Sequence, residues 1–281
     1  MWLYETQGDG VRRKSPAKVF VETDFYTVKV DDAGRDLRLE HGLSQLEARF
    51  AALRHNKLSL RLPITSRDHV HLCAFVAATH ARTKLRNKFL REQWQGALDM
   101  MKRFDTAMRE ASPEQREQMA RALAPSVAGE KQKRMTMEDV QKVVDHPVQQ
   151  FLSGEVRVMT IGLMHIPFTI IETAESPGFI TSDAPCVWFD SELYEESPAF
   201  GAGGLISPTL EICMPLSPQQ LVLFGYKHVV ENRYLPPAVG DRLVDLINRR
   251  IWDYADQHVV VNQRVETQPW RMEGREPTPN E

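Results

Sequence analysis

The chain has 281 residues, 42% apolar and 26% charged, an ordinary globular mix long enough to bury a sizeable core. A formal net charge of −3 and an isoelectric point near 6.3 exclude a protein that coats nucleic acid through overall basicity, while leaving room for a local basic groove. No run of about 18 apolar residues reaches membrane length, and Met1 to Gly10 lacks the basic start and apolar block of a secretory signal.

In chain order, Trp2-Leu3-Tyr4 reads as a strand, Gly8-Asp9-Gly10 as a turn and Val19-Phe20-Val21 as a second apolar run. Phe25 to Val30 alternates as a third strand, closed by Asp31 to Gly34. A chain that opens directly in a strand is expected to lack a natural N-terminal piece. Leu39, Leu43, Leu46, Phe50 and Leu53 recur at helical spacing. Pro63 then breaks the chain, and Ser66 is expected to cap one long helix running to about Glu110, with Asp68 near its positive end. Residues 111–135 read as a short surface helix from Ser112-Pro113-Glu114, followed by a mobile loop around Gly129-Glu130-Lys131. Thr136 to Asp145 and Pro147 to about His165 are helical.

The last third is β-rich. Phe168 to Glu172 and Phe179 to Ser182 are expected to pair around Ser176-Pro177-Gly178. Residues 190–208 form a loop rich in Gly, Ser, Pro and Glu. Leu210 to Leu216 and Leu221 to Tyr226 are strands joined by Ser217 to Gln220, Pro237 to about Tyr254 is a helix, and His258 to Asn262 is a closing strand. The fold class is therefore α+β: a mixed or antiparallel sheet built from both chain ends, packed on a central helical block (about 66–166) with one long helix. Residues 1–265 form a single domain and 266–281 a disordered tail. Cys73, Cys186 and Cys213 are widely spaced and form no C-x-x-C pair, so they read as reduced core residues of a cytoplasmic protein.

The long helix carries the most informative charge pattern. At about 3.6 residues per turn, Val70, Ala74, Ala78, Ala81, Leu85 and Phe89, together with Leu72, Phe75 and Leu90, share a wide apolar face, and Lys84, Lys88, Arg91, His69, His80 and Asn87 lie opposite. Arg82 and Arg86 project from within the apolar arc, one turn apart. An inward guanidinium must be paired, because burying an isolated charge costs more than a fold can spare. Both are expected to be largely buried, with Asp183 as first acidic partner and Glu22 or Glu47 next. A structural pair implies a loss of about 3–5 kcal/mol in Arg82→Ala. A ligand clamp implies lost binding instead. Both readings stay open, since the planar fork also suits a bound carboxylate or phosphate.

The second constellation is Phe179-Ile180-Thr181-Ser182-Asp183-Ala184-Pro185. Thr181, Ser182 and Asp183 at a strand end suit a loop held by side-chain turns; alternatively Asp183 leaves the sheet edge to face a pocket, as base, metal ligand or arginine partner. Ser182 lies in no G-x-S-x-G elbow. Glu22, Asp24 and Tyr26 share one strand face, and Glu47 flanks the stripe of its helix. The histidines show no H-E-x-x-H spacing, so no metal site is assigned. Gly201 to Gly204 reads as a flap, and Asn248 is either a polar contact or a surface residue.

Taken together, these pieces resemble an uncharacterised bacterial family, domain of unknown function 4238. The resemblance rests on Glu22-Thr23-Asp24-Phe25-Tyr26, Leu39 to Glu47, His80-Ala81-Arg82-Thr83-Lys84-Leu85-Arg86, the Phe179 to Pro185 segment, Met214-Pro215-Leu216-Ser217-Pro218, and Asn248 followed by His258 to Val261. The family opens with a His-Tyr-Val-Pro-like motif that this sequence lacks, which leaves a truncated or misassigned start, or an inactive member, open. It also has Pro where Lys84 stands and Asn where Ala184 stands. The resemblance implies no reaction and no cofactor, and it singles out the same Arg82, Arg86 and Asp183.

Three function classes remain: a protein that binds or acts on an anionic ligand, such as a phosphate- or carboxylate-bearing small molecule or nucleotide, through the arginines and Asp183; a sensor or interaction module with a structural arginine–carboxylate network; and a defence-associated effector. No membrane partner is expected, and nucleic acid is not excluded.

Overall fold

In chain order the elements are β1 (Trp2–Glu5), β2 (Val11–Arg13), β3 (Val28–Val30), β4 (Gly34–Asp36), α1 (Arg38–Asn56), α2 (Ser66–Ala81), α3 (Lys84–Glu110), α4 (Pro113–Ala122), α5 (Met137–Asp145), α6 (Pro147–Leu163), β5 (Phe168–Glu172), β6 (Thr181–Ser182), β7 (Val187–Asp190), β8 (Leu210–Ser217), β9 (Gln220–Gly225), β10 (Arg233–Leu235), α7 (Pro237–Tyr254) and β11 (His258–Val261). This computed structural model describes residues 1–21, 28–30, 34–122, 135–192, 204–227, 229, 233–266 and 269–271. Glu22 and the start of the Phe25 strand, the loop around Gly129, the Gly201 to Gly203 part of the expected flap and the tail beyond residue 271 lie outside the described residues.

The fold is α+β, and the two chain ends share one sheet as the strand pattern predicts. β1 lies between β2 and β11, and β11 pairs in turn with β6, all antiparallel. A second, mixed sheet has the order β10-β5-β9-β8-β7, with β10 and β5 parallel. β3 and β4 form a separate two-stranded ladder.

The period-2 alternation of the mixed sheet explains how the layers stack. Phe168, Ile170, Ile212, Met214, Val222 and Phe224 point to one face and pack on α1, α2 and α6 through Phe50, Leu72, Val76 and Leu163. Ile171, Val187, Cys213 and Leu221 point to the other and pack on α7 through Val244, Ile247 and Ile251. The terminal sheet covers the far side of α7 with Tyr4, Val259 and Val261. The central helical block therefore supports the mixed sheet, and α7 is the layer under the sheet from the chain ends. Gly240 lets α7 approach the mixed sheet closely, since a Cβ there would collide with the Glu172 carbonyl of β5. All three cysteines are buried and free. Burial pushes the Cys73 and Cys213 thiols up to about 12 and Cys186 higher still. Among the described residues no helix is long and apolar enough to cross a membrane.

Four expectations need correction. The helix expected from Ser66 to Glu110 is two helices, α2 and α3, divided at Arg82 and Thr83. A single helical phase therefore fails across the break, and Leu85 and Phe89 are exposed where that phase buries them. Thr65, not Ser66, caps α2, through a capping box with Asp68. Val19 to Val21 is no strand: Pro16 opens a 3-10 turn, Phe20 takes a φ of 57°, and Phe20 and Val21 are exposed. Finally, β5 and β6 do not pair with each other. Gly178, at φ 80°, lies so close to the Pro218 carbonyl that only glycine fits, and the turn delivers the chain into the other sheet, beside β11.

Candidate functional site

The division of the long helix is local chemistry. Thr83 is extended (φ −69°, ψ 150°); its hydroxyl donates to the His80 carbonyl (3.1 Å) and accepts from the Arg86 N–H (3.2 Å). One side chain thus closes α2 and opens α3. The change of direction leaves a cavity of about 850 Å³ between the break, α6, the start of β7 and the end of α7. Phe89, Leu90, Phe151, Val158, Met159 and Trp188 supply much of its apolar wall. Trp94 backs Phe151, with ring centroids 5.4 Å apart.

The polar groups in this wall are few. Arg86 Nε binds Glu155 Oε1 at 2.6 Å, and the Arg86 guanidinium carbon lies 5.1 Å from the Phe89 ring centre. Among the described residues, Nη1 and Nη2 of Arg86 have no hydrogen-bond partner, and its side chain is 30% exposed. His80 packs against Trp188, with centroids 4.9 Å apart. Burial pulls the His80 pKa down to about 4, helped by the Arg86 charge and partly opposed by the Cys186 backbone, so this imidazole is neutral at neutral pH. Burial likewise pushes Tyr254 up to about 12, with Cys186 adding to the rise and Arg86 opposing it, so its hydroxyl keeps its proton. Among the described residues the buried indole N–H of Trp188 has no hydrogen-bond partner.

The sequence-derived residues separate into three places. Arg86 lines the cavity and is paired with Glu155, not with Asp183. Arg82 caps the end of α2 and forms an ion pair with Glu47 of α1, joining two helices away from the cavity wall. Both arginines are half-buried rather than largely buried.

Asp183 belongs to the terminal sheet. Its carboxylate accepts the backbone N–H groups of Asp256, Gln257 and His258, each at 2.9 Å, and its own N–H donates to the His258 carbonyl at 3.1 Å. Thr181 and Ser182 form β6, and the Ser182 hydroxyl accepts from the Ala184 N–H. Glu22 lies outside the described residues. Asn248 is a buried contact: its Oδ1 accepts from Ile180 N–H (3.0 Å) and its Nδ2 donates to the Gly178 carbonyl (2.9 Å).

Glu155, His80, Trp188 and Tyr254 escaped the sequence reading. A signal existed for Glu155, which is the one acidic residue in the α6 sequence and sits in a helical row with Phe151 and Val158. His80 fell on the wrong side because α2 is covered on that side as well, where Cys73, Val76 and Ala77 are buried. Among the described residues no group of three or more His, Cys, Asp or Glu side chains is placed to hold a metal ion.

A family model described as a protein of unknown function (DUF4238) matches residues 1–264. No curated protein and no solved structure matches the chain.

Proposed function

We propose, for a chain that belongs to the DUF4238 family of proteins of unknown function, that it binds a small organic anion in the cavity beside the α2–α3 break. Arg86 is the anchor. The observation that carries this reading is the state of its guanidinium: Glu155 fixes Nε, while among the described residues the Nη1–Nη2 edge has no protein partner, and Arg86 lines an 850 Å³ cavity. That edge suits a carboxylate or phosphate oxygen pair, and the apolar residues around it offer a hydrophobic surface to the rest of the ligand. Tyr254 keeps its hydroxyl proton, and Gln150 and Thr83 add further polar groups to the wall. Arg82, Glu47 and Asp183 support the structural alternative at their own positions, since each already has protein partners.

We read residues 1–265 as one unit, consistent with the span of the family match, and assign it to the cytoplasm on its three free, buried thiols. Thermal melts of the wild type and Arg86→Gln with organic carboxylates and nucleotides test the function. A binding anion is expected to raise the wild-type Tm with concentration and to leave Arg86→Gln unmoved. An equal rise in both proteins would refute the assignment.

A further inference from the structure

We infer that the cavity selects a flat aromatic monocarboxylate, with Glu155 as the residue that rejects doubly charged phosphate esters. This rests on the cavity's being an anion site.

The shape of the wall argues for an aromatic ligand. Five ring-bearing side chains line the cavity: His80, Phe89, Phe151, Trp188 and Tyr254. Rings offset-stack or meet edge to face, which favours a planar conjugated body over a flexible acyl chain. Such a body also loses little conformational freedom on binding. The stacked pair Trp94–Phe151 and the His80–Trp188 contact hold three of these rings in place before any ligand arrives.

The charge balance argues for a single negative charge. Among the described residues lining the cavity, Arg86 is the one cation at neutral pH, because His80 is neutral there. Glu155 already takes up much of the Arg86 charge at 2.6 Å. A monocarboxylate can place both oxygens on the free Nη edge, leaving one uncompensated negative charge in the arrangement. A phosphate dianion would leave two, beside the Glu155 carboxylate and inside an apolar wall, where like charges repel strongly. No second lysine or arginine lines the described wall to offset it. Glu155 thus acts twice, holding Arg86 by Nε so that the other edge faces outward, and setting the charge that the site accepts.

The test uses the full chain and three probes at pH 7.5: 1-naphthoate, 1-naphthyl phosphate and dodecanoate, with affinities from titration calorimetry. The first two share a ring and differ in charge; the third keeps the carboxylate and replaces the ring with an acyl chain. The wild type is expected to bind 1-naphthoate at least about tenfold more tightly than 1-naphthyl phosphate, and more tightly than dodecanoate. Glu155→Gln, whose amide oxygen can still accept from Arg86, is expected to tighten both anions, with 1-naphthyl phosphate gaining about tenfold more than 1-naphthoate.

If 1-naphthyl phosphate or dodecanoate binds the wild type as tightly as 1-naphthoate, and Arg86→Gln abolishes that binding, the ligand class is wrong and the anion site stands. If no probe binds, or Arg86→Gln leaves binding unchanged, both fall. An unchanged preference in Glu155→Gln overturns the role of Glu155. The wild-type ranking requires no variant, so it decides the ligand class even if a substituted chain does not fold.

Discussion

Two charged groups, Asp183 at a strand end and Arg86 in an apolar helical arc, drew attention in the sequence, and the structure treats them in opposite ways. Asp183 lies in the 178–183 segment, where α7 and the start of β11 clasp the chain. Its two carboxylate oxygens receive three backbone N–H groups, and Asn248 satisfies two further main-chain groups nearby. Arg86 lies at the helix break with, among the described residues, one of its three nitrogens engaged, and with an open cavity beside it. A charge among apolar residues is therefore a weak indicator of function by itself. What separates a structural group from a binding group is how many of its hydrogen-bonding positions the fold has already filled.

Disrupting the filled side should give the largest stability losses. Asn248 is fully buried, and its truncation strands the Ile180 N–H and the Gly178 carbonyl while leaving a small void. Asn248→Ala is expected to cost about 4 kcal/mol in urea denaturation. A loss under about 1 kcal/mol would mean that water replaces the amide and that the clasp is not dry. Asp183→Ala should follow at about 3 kcal/mol, somewhat less because the Gln257 backbone is near solvent and can rehydrate. Asp183→Asn keeps one acceptor oxygen and should lose roughly half as much. Neither Asp183 variant should alter ligand binding at the cavity; a change there would tie the two regions together.

The open side has a pH signature of its own. The folded His80 pKa is depressed to about 4, whereas an unfolded histidine titrates near 6.5. The unfolded chain therefore binds the proton more readily. The His80 contribution to stability is complete above about pH 6.5 and is lost as the pH falls toward 4. The full shift would be worth about 3 kcal/mol, but His80 is only half-buried, so roughly 2 kcal/mol is the expected loss across that range. His80→Gln should flatten stability against pH between 6.5 and 4 relative to the wild type. Since Arg86 contributes to the depression, Arg86→Gln should move the wild-type inflection upward in pH. An NMR titration of the His80 ring checks both expectations.

The legible parts of the fold were those with strong local periodicity. The apolar stripe of α1, the helix from Thr136 to Asp145 and the strands on either side of the Ser217 to Gln220 turn all follow from spacing and turn chemistry. The union of the chain ends followed from the scarcity of strands at each end. The break at Arg82 and Thr83 was harder to see because it contains neither Gly nor Pro; it depends on one threonine cap in an otherwise helix-compatible run. The family resemblance held a clue, because its Pro in place of Lys84 would stand at the first position of α3, where proline is favoured. Missing the break hid the site. It turned Arg82 and Arg86 into a pair on one helix, while reading α2 as covered on one face only set His80 on the solvent side. The cavity itself, assembled from α2, α3, α6, β7 and α7, depends on long-range packing that no local pattern encodes.

The smallest expected effect concerns the other arginine and sharpens the contrast most directly. A buried Arg82 paired with a buried carboxylate implied a loss of several kcal/mol on truncation. The observed pair, with Glu47, leaves the Arg82 side chain 26% exposed and the Glu47 side chain 49% exposed. Water screens an ion pair at that depth, and holding two long side chains together costs conformational entropy, so Arg82→Ala and Glu47→Ala should each cost less than about 1 kcal/mol. A double-mutant cycle isolates the coupling between them, expected at about 0.5 kcal/mol and reduced by added salt. By contrast, Arg82→Ala should leave ligand affinity at the cavity unchanged, where Arg86→Gln removes it. If the two arginine variants lost binding equally, the division of the helix would not separate their roles, and the two would act as one clamp after all.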